Sequence, residues 1–600
     1  MKDLNRHRRK PSALVFVALI LFALGRCSSA RIIPPDRCTP WQGMTGPEGG
    51  IPVRTNIFVN CLTGVMYNGR TNTAYKCHAD GVNDDSAIIN AAISACPSNH
   101  VVYIPAATYL ITNNIGPSSP SKSYWTLRGD GSNTVLYYRS PSDRFHGIAL
   151  GTAYYANTNA ARVCDIYSGF AKGSSAISIS NSRHNAGGIK AGMMLMIDQL
   201  NDPQCCTGSL VDAHGAERHS GRYDRPADST RCIAQLVRVT GIHNVTNIAF
   251  WPPLAWNFSA ALKPQAAQMA PSGKYVGLEN FKMISDTNNN TGAYMIYWEG
   301  MLDSWISGVE SAFAKRWHVR IDQCLFCQFR NLYVHEATAY TVGSGYGFEM
   351  SQSTSCLLED SIFYHNYCNI MLEAGDTGCV VGYNYVYKVI SKPVFYQMAA
   401  LDIHAPHPVM DLWEGNVAPC FSFDHTHGSS SDQTIFRNRV AESDPGVTNN
   451  IRCIDFNAWS QSNNVVGNVL GEPTRFYILN AGATNNYSHG NNVVYRFGYP
   501  DMGNNRFAGI TNNPSYPLTN WYDARIEANS LVHGNYDYAS RATLWDPGIG
   551  ETNLPPSLYY AGKPGWWGAL PWPPIGPDLS PMGGLIPAEV RFNAMMNPPP

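Results

Sequence analysis

The chain has few charged residues and no excess of either sign. Only 14% of its 600 residues are charged, and 43 Lys and Arg are balanced by 44 Asp and Glu, for a formal net charge of −1. A nucleic-acid-binding protein needs a basic excess to neutralise phosphates. The composition therefore argues against a nucleic-acid partner.

Long apolar runs are missing after the first 30 residues. Residues 6–10 are basic, residues 13–24 form an apolar run too short for a comfortable membrane span, and residues 28–30 are small. This is the pattern of a secretory signal peptide. We predict a signal peptide over residues 1–30, a secreted or periplasmic mature chain that begins near Arg31, and no membrane span in that chain.

A second Cys-x-x-Cys pair is also missing. Cys324 and Cys327 have the spacing of a redox or zinc motif, but the lack of a partner pair favours core cysteines or a disulfide elsewhere. One of the 16 cysteines, Cys27, falls in the predicted leader. Because an exported protein can form disulfides, we predict a disulfide bond, with Cys77–Cys96 as the safest pair.

What the chain does have is a repeat between residues 276 and 495. Short runs of Val, Ile, Phe and Tyr flank a hinge residue, and successive hinges are 22 to 32 residues apart. A scattered period in the twenties is typical of a solenoid, and strand-like units without a helical period indicate a parallel β-helix. The hinges are Asn280, Gly308, Asn331, Asp360, Asn384, Asn416, Asn438, Asn468 and Asn492.

The segments around this repeat complete the predicted organisation. Residues 31–75 read as an irregular N-terminal wrap, residues 76–500 as the β-helix, and residues 501–600 as a Pro- and Trp-rich C-terminal cap over exposed strand edges. Asp84 or Asp85 can cap a helix that closes the N-terminal end, with an apolar face of Ala87, Ile88, Ala91 and Ala92. Residues 200–232 and 250–272 read as a polar excursion and a long loop that wall a groove.

Three phrases near the N-terminus carry a family resemblance. ADGVNDDSAIINAAISAC, VVYIPAATYLI and LRGDGSNTVLYY resemble the opening of the pectate-lyase-like superfamily, which includes epimerase-like pectate lyase domains and rhamnogalacturonan hydrolases. The resemblance implies an all-β, right-handed parallel β-helix that acts on a polysaccharide. The Asn-Thr-Asp and Gly-His-Gly phrases of polygalacturonases are absent, so no catalytic residue is transferred from it.

Carboxylates recur at the strand that precedes each bend of the repeat. Aligned by their hinges, Asp402 and Asp424 fall in one column and Asp455 within a residue of it. Strand alternation turns these side chains outward, and neighbouring strands lie about 4.8 Å apart, which is near the carboxylate separations of glycosidases. We predict the catalytic residues Asp402, Asp424, Asp455 and Glu373. The expected substrate-binding residues are His404, His407, His425, His427, Glu349 and Asp376.

Asp424 is the first choice for the acid or base, because Phe423 beside it would lower the local polarity and raise its pKa. Other roles for the same residues remain open. The carboxylates could form a structural ladder, the four histidines could bind zinc or copper, and the three aspartates could hold calcium.

These patterns favour a polysaccharide-cleaving glycoside hydrolase without a cofactor or metal ligand. The second hypothesis is a pectate-type lyase that uses Ca²⁺ and a base such as Lys388, Lys392 or Arg437, none of which lies in the column. The third is a β-helix that only binds glycans. The sequence leaves the polysaccharide, the cleavage mode and the oligomeric state open.

Overall fold

The computed structural model describes residues 32–116, 122–139, 146–151, 163–180, 188–202, 231–288, 294–341, 343–390, 395–404, 406–424, 428–441, 446–481, 492–499 and 523–597. The predicted signal peptide, His425, His427 and Lys392 lie outside these residues. None of the described helices has the length and apolar character that crossing a membrane demands.

Most described residues belong to stacked coils of short parallel strands. Each coil contributes one strand to a ten-stranded sheet, which we call the site sheet, and two strands to a larger sheet that bends at a corner, which we call the corner sheet. Equivalent strands of consecutive coils pair in parallel, as Tyr346–Ser351 does with Cys368–Glu373. This arrangement agrees with the predicted parallel β-helix.

The site sheet runs along one side of the stack. Its strands are Ile148–Leu150, Tyr294–Glu299, Trp317–Asp322, Tyr346–Ser351, Cys368–Glu373, Leu401–His404, Phe421–Phe423, Arg452–Asn457, Ile478–Asn480 and Val493–Tyr499. After each strand comes a turn, and isolated parallel bridges link the turns of successive coils, for example Thr354 to Thr377. Gly273–Lys274 and Met301–Leu302 pair as two strands at the start of this row.

The corner sheet holds the remaining parallel strands. Those before the repeat and at its start are Ile57–Asn60, Asp80–Asp84, His100–Tyr103, Ala107–Ile111, Trp125–Tyr138, Gly277–Ser285 and Trp305–Ala312. Those before the corner are Gln328–Arg330, Leu357–Glu359, Val380–Gly382, Leu412–Glu414, Thr434–Phe436, Asn464–Val466 and Leu531–His533. Those after it are Tyr333–His335, Ile362–Asn366, Tyr385–Val389, Val417–Ala418, Arg439–Val440, Val469–Leu470 and Asn535–Asp537. Val65–Met66 and Ala542–Leu544 add antiparallel edges.

The corner has a chemical cause at two neighbouring positions. The first is held in the left-handed backbone region, for example at Gly308 with φ 66° and Asp360 with φ 49°, which Gly, Asn and Asp tolerate. The second is a buried ladder in which each Asn side chain binds the next coil, formed by Asn384, Asn416, Asn438, Asn468 and Asn535. Asn492, the last predicted hinge, is not at the corner but precedes a strand of the site sheet. The next corner-sheet strands of the stack lie beyond residue 500, at residues 531–537.

The interior of the stack is one continuous apolar core. It contains a column of buried thiols at Cys324, Cys327, Cys356 and Cys379, whose pKa values are raised chiefly by burial. Phe423 also points into this core and stacks on Phe456 with ring centroids 5.0 Å apart. None of the described cysteines forms a disulfide.

A separate small barrel interrupts the stack between residues 163 and 269. Its six antiparallel strands are Val163–Ser168, Ala176–Ile179, Met194–Asp198, Ala234–Ile242, Asn247–Trp251 and Gln265–Met269. They close around their own apolar core. The prediction of a long loop at residues 250–272 was wrong at Gln265–Met269, which forms a strand of the barrel. Most of the predicted polar excursion, residues 203–230, lies outside the described residues.

Within the described residues, helices are few and short. They are the α-helices Ser86–Ala95, Ala524–Asn529 and Pro587–Met596 and the 3₁₀ helices Pro35–Arg37, Thr73–Tyr75, Ala260–Leu262 and Gly565–Trp567. The predicted helix after Asp85 exists, and Ala92 of its predicted apolar face is buried together with Ile89 and Ile93. The prediction was wrong for Ala87 and Ala91, which are exposed.

The C-terminal segment, residues 551–597, lies along the outside of the corner sheet. Arg437 donates to Asp578 through both terminal nitrogens at 2.8 Å and to three backbone carbonyls of the segment. Tyr383 packs beneath Trp567, with ring centroids 5.1 Å apart. The segment thus covers successive coils at specific polar and aromatic contacts.

Candidate active site

The candidate site lies on the outer face of the site sheet, at a cluster of Asp402, His404 and Asp424. One ligand atom from each residue lies within 4.8 Å of the other two. Asp402 and His404 are two residues apart on Leu401–His404, so strand alternation turns both outward. Asp424 follows the neighbouring strand, and its backbone N–H donates to the Ile403 carbonyl at 3.1 Å, which fixes its place beside His404.

The register differs from the predicted column. Asp402 pairs with Ser422, and Ser422 pairs with Asp455, so Asp402 and Asp455 share a column two coils apart. Asp424 was wrongly placed in that column, because the step between these strands is set by Leu401 and Phe421 and not by the hinges. It instead reaches Asp402 diagonally, on the same face of the sheet.

His404 and Asp424 form an ion pair. Nδ1 of His404 lies 2.7 Å from Oδ2 of Asp424, and both side chains are about one fifth exposed. Burial alone would lower the pKa of His404, but the charge and hydrogen bond of Asp424, together with Asp402 and Glu373, raise it to about 10. The raised pKa favours the imidazolium form of His404, with the Asp424 carboxylate as its partner.

Phe423 does not set the environment of Asp424, contrary to the prediction. Its ring is fully buried in the coil interior, on the opposite face from the carboxylate. The neighbour that matters is His404. The charged group that the structure places beside Asp424 is therefore the imidazole of His404.

Glu373 adjoins the cluster on the preceding coil, where it pairs in register with His404. Its Oε1 lies 3.4 Å from Nη2 of Arg320. Arg320 also donates to Asp322 at 3.2 Å and to Glu349 at short range. Glu373 thus links the cluster to a second polar group on the coils before it.

That second group was only partly predicted. Tyr297 donates its hydroxyl to Asp322 at 3.0 Å and to Glu299 at 3.1 Å, beside the guanidinium of Arg320. The sequence comparison of strands began at residue 346 and so missed residues 294–322, although Trp317–Asp322 continues the same alternation. Glu349, a predicted substrate-binding residue, is buried here and is bound by Arg320 and Trp317.

Two further predicted carboxylates have structural contacts. Asp455 is buried and forms ion pairs with Arg496 and, at 3.4 Å, with Arg452; burial opposes ionisation, but these guanidinium groups lower its pKa. Asp376 accepts the backbone N–H groups of Ser353 and Glu373 at 2.6 and 3.1 Å, and burial raises its pKa. Neither carboxylate faces an open groove, because each is buried among its partners.

His407 also lies away from the cluster. It is buried between Ser431 at 3.0 Å and Ser429 at 3.2 Å, and burial lowers its pKa to about 3. A neutral histidine inside the turn row has a packing role. Of the four predicted histidines, His404 is the one that the described residues bring to the site, since His425 and His427 lie outside them.

The barrel borders the site sheet where its strands end. The Thr377 hydroxyl, four residues after Glu373, donates to the Ala234 carbonyl at 2.6 Å, and the Leu236 N–H donates to the Thr354 hydroxyl at 2.8 Å. The barrel therefore stands beside the edge that carries Glu373 and His404. A cleft of about 750 Å³ lies elsewhere, between the corner sheet and the C-terminal segment, and its Arg439 and Glu589 are paired to each other.

Comparison with known families bears on the N-terminal coils. Residues 71–190 match the family model described as rhamnogalacturonase A/epimerase, pectate lyase-like. The pectate-lyase-like resemblance is confirmed. It covers the three phrases recognised in the sequence and ends before the candidate site. A comparison with curated proteins found no match.

Solved structures with similar backbones come from phages and bacteria. A tailspike of Pseudomonas phage phi297 has 11% identity and a TM-score of 0.45, covering 66% of this chain and 65% of its own. A mannuronan C-5 epimerase module of Azotobacter vinelandii has 12% identity and a TM-score of 0.34, covering 70% and 92%. A GH87 α-1,3-glucanase of Streptomyces thermodiastaticus has 12% identity and a TM-score of 0.36, covering 78% and 67%. This chain spans less than two thirds of the tailspike's length.

Proposed function

We propose that the protein is a secreted carbohydrate-active enzyme that cleaves a polysaccharide as a glycoside hydrolase. The observation that carries the proposal is the convergence of Asp402, His404 and Asp424 on neighbouring coils. The pectate-lyase-like match over residues 71–190 supports the substrate class. The proposal includes a right-handed coil, closed at its N-terminal end by Ser86–Ala95 and at its other end by the irregular C-terminal cap.

The two aspartates have different surroundings, which suits an acid and a base. His404 keeps Asp424 ionised, so Asp424 serves as the nucleophile or base. Asp402 is the more deeply buried of the two, with the Cys368 thiol 3.8 Å from its Oδ2. Burial favours its protonated form and the positive charge of His404 opposes it; because Asp424, and not Asp402, accepts the hydrogen bond of His404, we assign Asp402 the proton donor's role. A pair of carboxylates in contrasting environments is the usual arrangement for glycoside cleavage.

The separation of the carboxylates favours retention of configuration. Retaining glycosidases hold their two carboxyl groups about 5–5.5 Å apart, whereas inverting enzymes leave about 6.5–9.5 Å for a water molecule. At least one oxygen of Asp402 lies within 4.8 Å of an oxygen of Asp424, which is shorter than the separation that leaves room for a water molecule. A covalent glycosyl intermediate on Asp424 would then be released by water activated at Asp402.

A lyase is the second candidate, because the same three side chains could hold a cation. The donor set suits Ca²⁺ poorly, since that ion takes six to eight oxygen ligands and His404 offers a nitrogen. The basic residues fit no better: Arg437 is occupied by Asp578, and Lys388 lies over the ring of Tyr364 on the corner sheet. Arg320, which does lie on the site sheet, is bound by carboxylates.

A polysaccharide screen read in two ways separates the candidates. New reducing ends without ultraviolet absorbance support the hydrolase, while absorbance from an unsaturated sugar overturns it in favour of the lyase. Binding with neither signal supports a glycan-binding β-helix. Repeating the screen with added Ca²⁺ and with a chelator tests whether a cation is needed.

A further inference from the structure

Three buried cysteines meet near the start of the coil stack. Cys61 follows the strand Ile57–Asn60, Cys77 precedes the helix Ser86–Ala95, and Cys96 ends that helix. All three belong to the main apolar core and are at most 4% exposed. The pairing predicted from the sequence was Cys77–Cys96.

The backbone places Cys77 against Cys61 instead. The Cys77 N–H donates to the Cys61 carbonyl at 2.7 Å. With standard backbone dimensions, two residues joined by such a bond have Cα atoms no more than about 6.6 Å apart. That lies within the span of about 4.4–6.8 Å that disulfides bridge.

The side chains agree with the backbone. The thiol of Cys77 is hydrogen-bonded to that of Cys61, and this contact, followed by burial, raises the pKa of Cys77. The thiol of Cys96 instead faces the Pro97 carbonyl at 3.5 Å. Its own backbone carbonyl accepts a bond from Nζ of Lys122 at 2.7 Å. A disulfide between Cys61 and Cys77 therefore needs a smaller movement of the side chains than one between Cys77 and Cys96.

We propose that Cys61 and Cys77 form a disulfide in the exported protein and that Cys96 stays a thiol. The reaction is exchange with a small-molecule or protein disulfide. A thiolate of the pair attacks that disulfide, forms a mixed disulfide and releases one thiol. The second cysteine then attacks the mixed disulfide and releases the other thiol, so that two protein thiols are oxidised and one disulfide is reduced to two thiols. The bond would close the loop of residues 61–77, which contains Val65–Met66, and fasten the N-terminal wrap to the first coils.

The test is peptide mapping of the protein secreted from an oxidising compartment, alkylated before digestion and without reduction. We expect a cross-linked species that joins the Cys61 peptide to the Cys77 peptide, with Cys96 alkylated. Digestion must cut between residues 77 and 96, because otherwise Cys77 and Cys96 remain on one peptide. A Cys77–Cys96 link, or three alkylated thiols, would overturn the proposal.

Matched serine variants make the assignment independent of one digest. Cys96→Ser should keep the cross-link and the reduction-dependent loss of Tm, whereas Cys61→Ser should lose both. If Cys61→Ser is poorly secreted, the Cys96→Ser protein still decides the question. Reduced Cys96→Ser incubated with glutathione disulfide should regain a cross-link and lose the mass of two hydrogens, and failure to do so contradicts the proposal.

Discussion

The imidazole of His404 and the carboxylate of Asp424 meet across neighbouring coils, with Nδ1 and Oδ2 2.7 Å apart. Each residue lies at the end of its strand, so both charges depend on the register of Leu401–His404 against Phe421–Phe423. The pair gives the outer face of the site sheet a fixed carboxylate next to Asp402. The proposed hydrolysis depends on this difference between Asp424, which is paired with His404, and Asp402.

Replacing either aspartate of the cluster should abolish most turnover. Asp402→Asn removes the proton donor and Asp424→Asn removes the nucleophile or base, while both keep the shape of the side chain. General acid–base groups contribute about 10²–10⁴-fold, so we expect at least a hundredfold loss of reducing-end release on a substrate found by the screen. If both variants keep most of the wild-type rate, the cluster is structural.

Asp455→Asn is the matched control, because it removes a carboxylate from the same sheet and the same column as Asp402. Its carboxylate binds Arg496 and Arg452 in the protein interior. Breaking a buried ion pair costs about 3–5 kcal/mol. We expect a lower Tm by calorimetry, with turnover per folded molecule retained. Lost turnover at an unchanged Tm would place Asp455 in the active site.

The pair also predicts a pH dependence of stability. The folded pKa of His404, about 10, is above its ordinary value of 6.5. The contribution of protonated His404 to the free energy of unfolding is therefore fully present below pH 6.5 and is lost as pH rises towards 10. The Tm of His404→Gln should be below that of the wild type near pH 7, and the difference should shrink by pH 10. A difference that grows with pH contradicts the assignment.

Arg437→Met should loosen the C-terminal segment. The variant keeps an apolar stem but leaves Asp578 and three backbone carbonyls without their donor. Limited proteolysis should cut residues 551–597 faster than in the wild type, and Asp578→Asn should have a smaller effect because the carbonyl contacts remain. Equal resistance in all three proteins would show that aromatic packing at Tyr383 is sufficient.

The repeat was readable from the sequence because its cause is local. Gly, Asn and Asp adopt the left-handed corner at the least cost, and the buried Asn ladder keeps one residue type in successive coils. The exceptions explain the errors of register. Tyr383 and Arg437 occupy the left-handed position with φ 58° and 51°. Asn492 has a hinge-like sequence but directly precedes a site-sheet strand.

The site was only partly readable because coil lengths vary. Asp402 and His404 share one strand, so alternation alone puts them on one face. Their position relative to Asp424 depends on the length of the loop between the two strands, and the spacing of the hinges does not determine that length. Of the partners of Asp455, Arg496 comes from register with a later strand, whereas Arg452 lies on the same strand. Arg320 lies on a strand before those in which the carboxylates were recognised.

The C-terminal segment contacts several successive coils at once. Its contacts run from Asp578 at Arg437, through Leu558 at Glu414, to Arg591 at Asp360. A solenoid normally unfolds as a chain of nearest-neighbour units, with fraying possible at each. Here the coils between residues 360 and 437 share one tether, so they should melt as a single cooperative block rather than one by one.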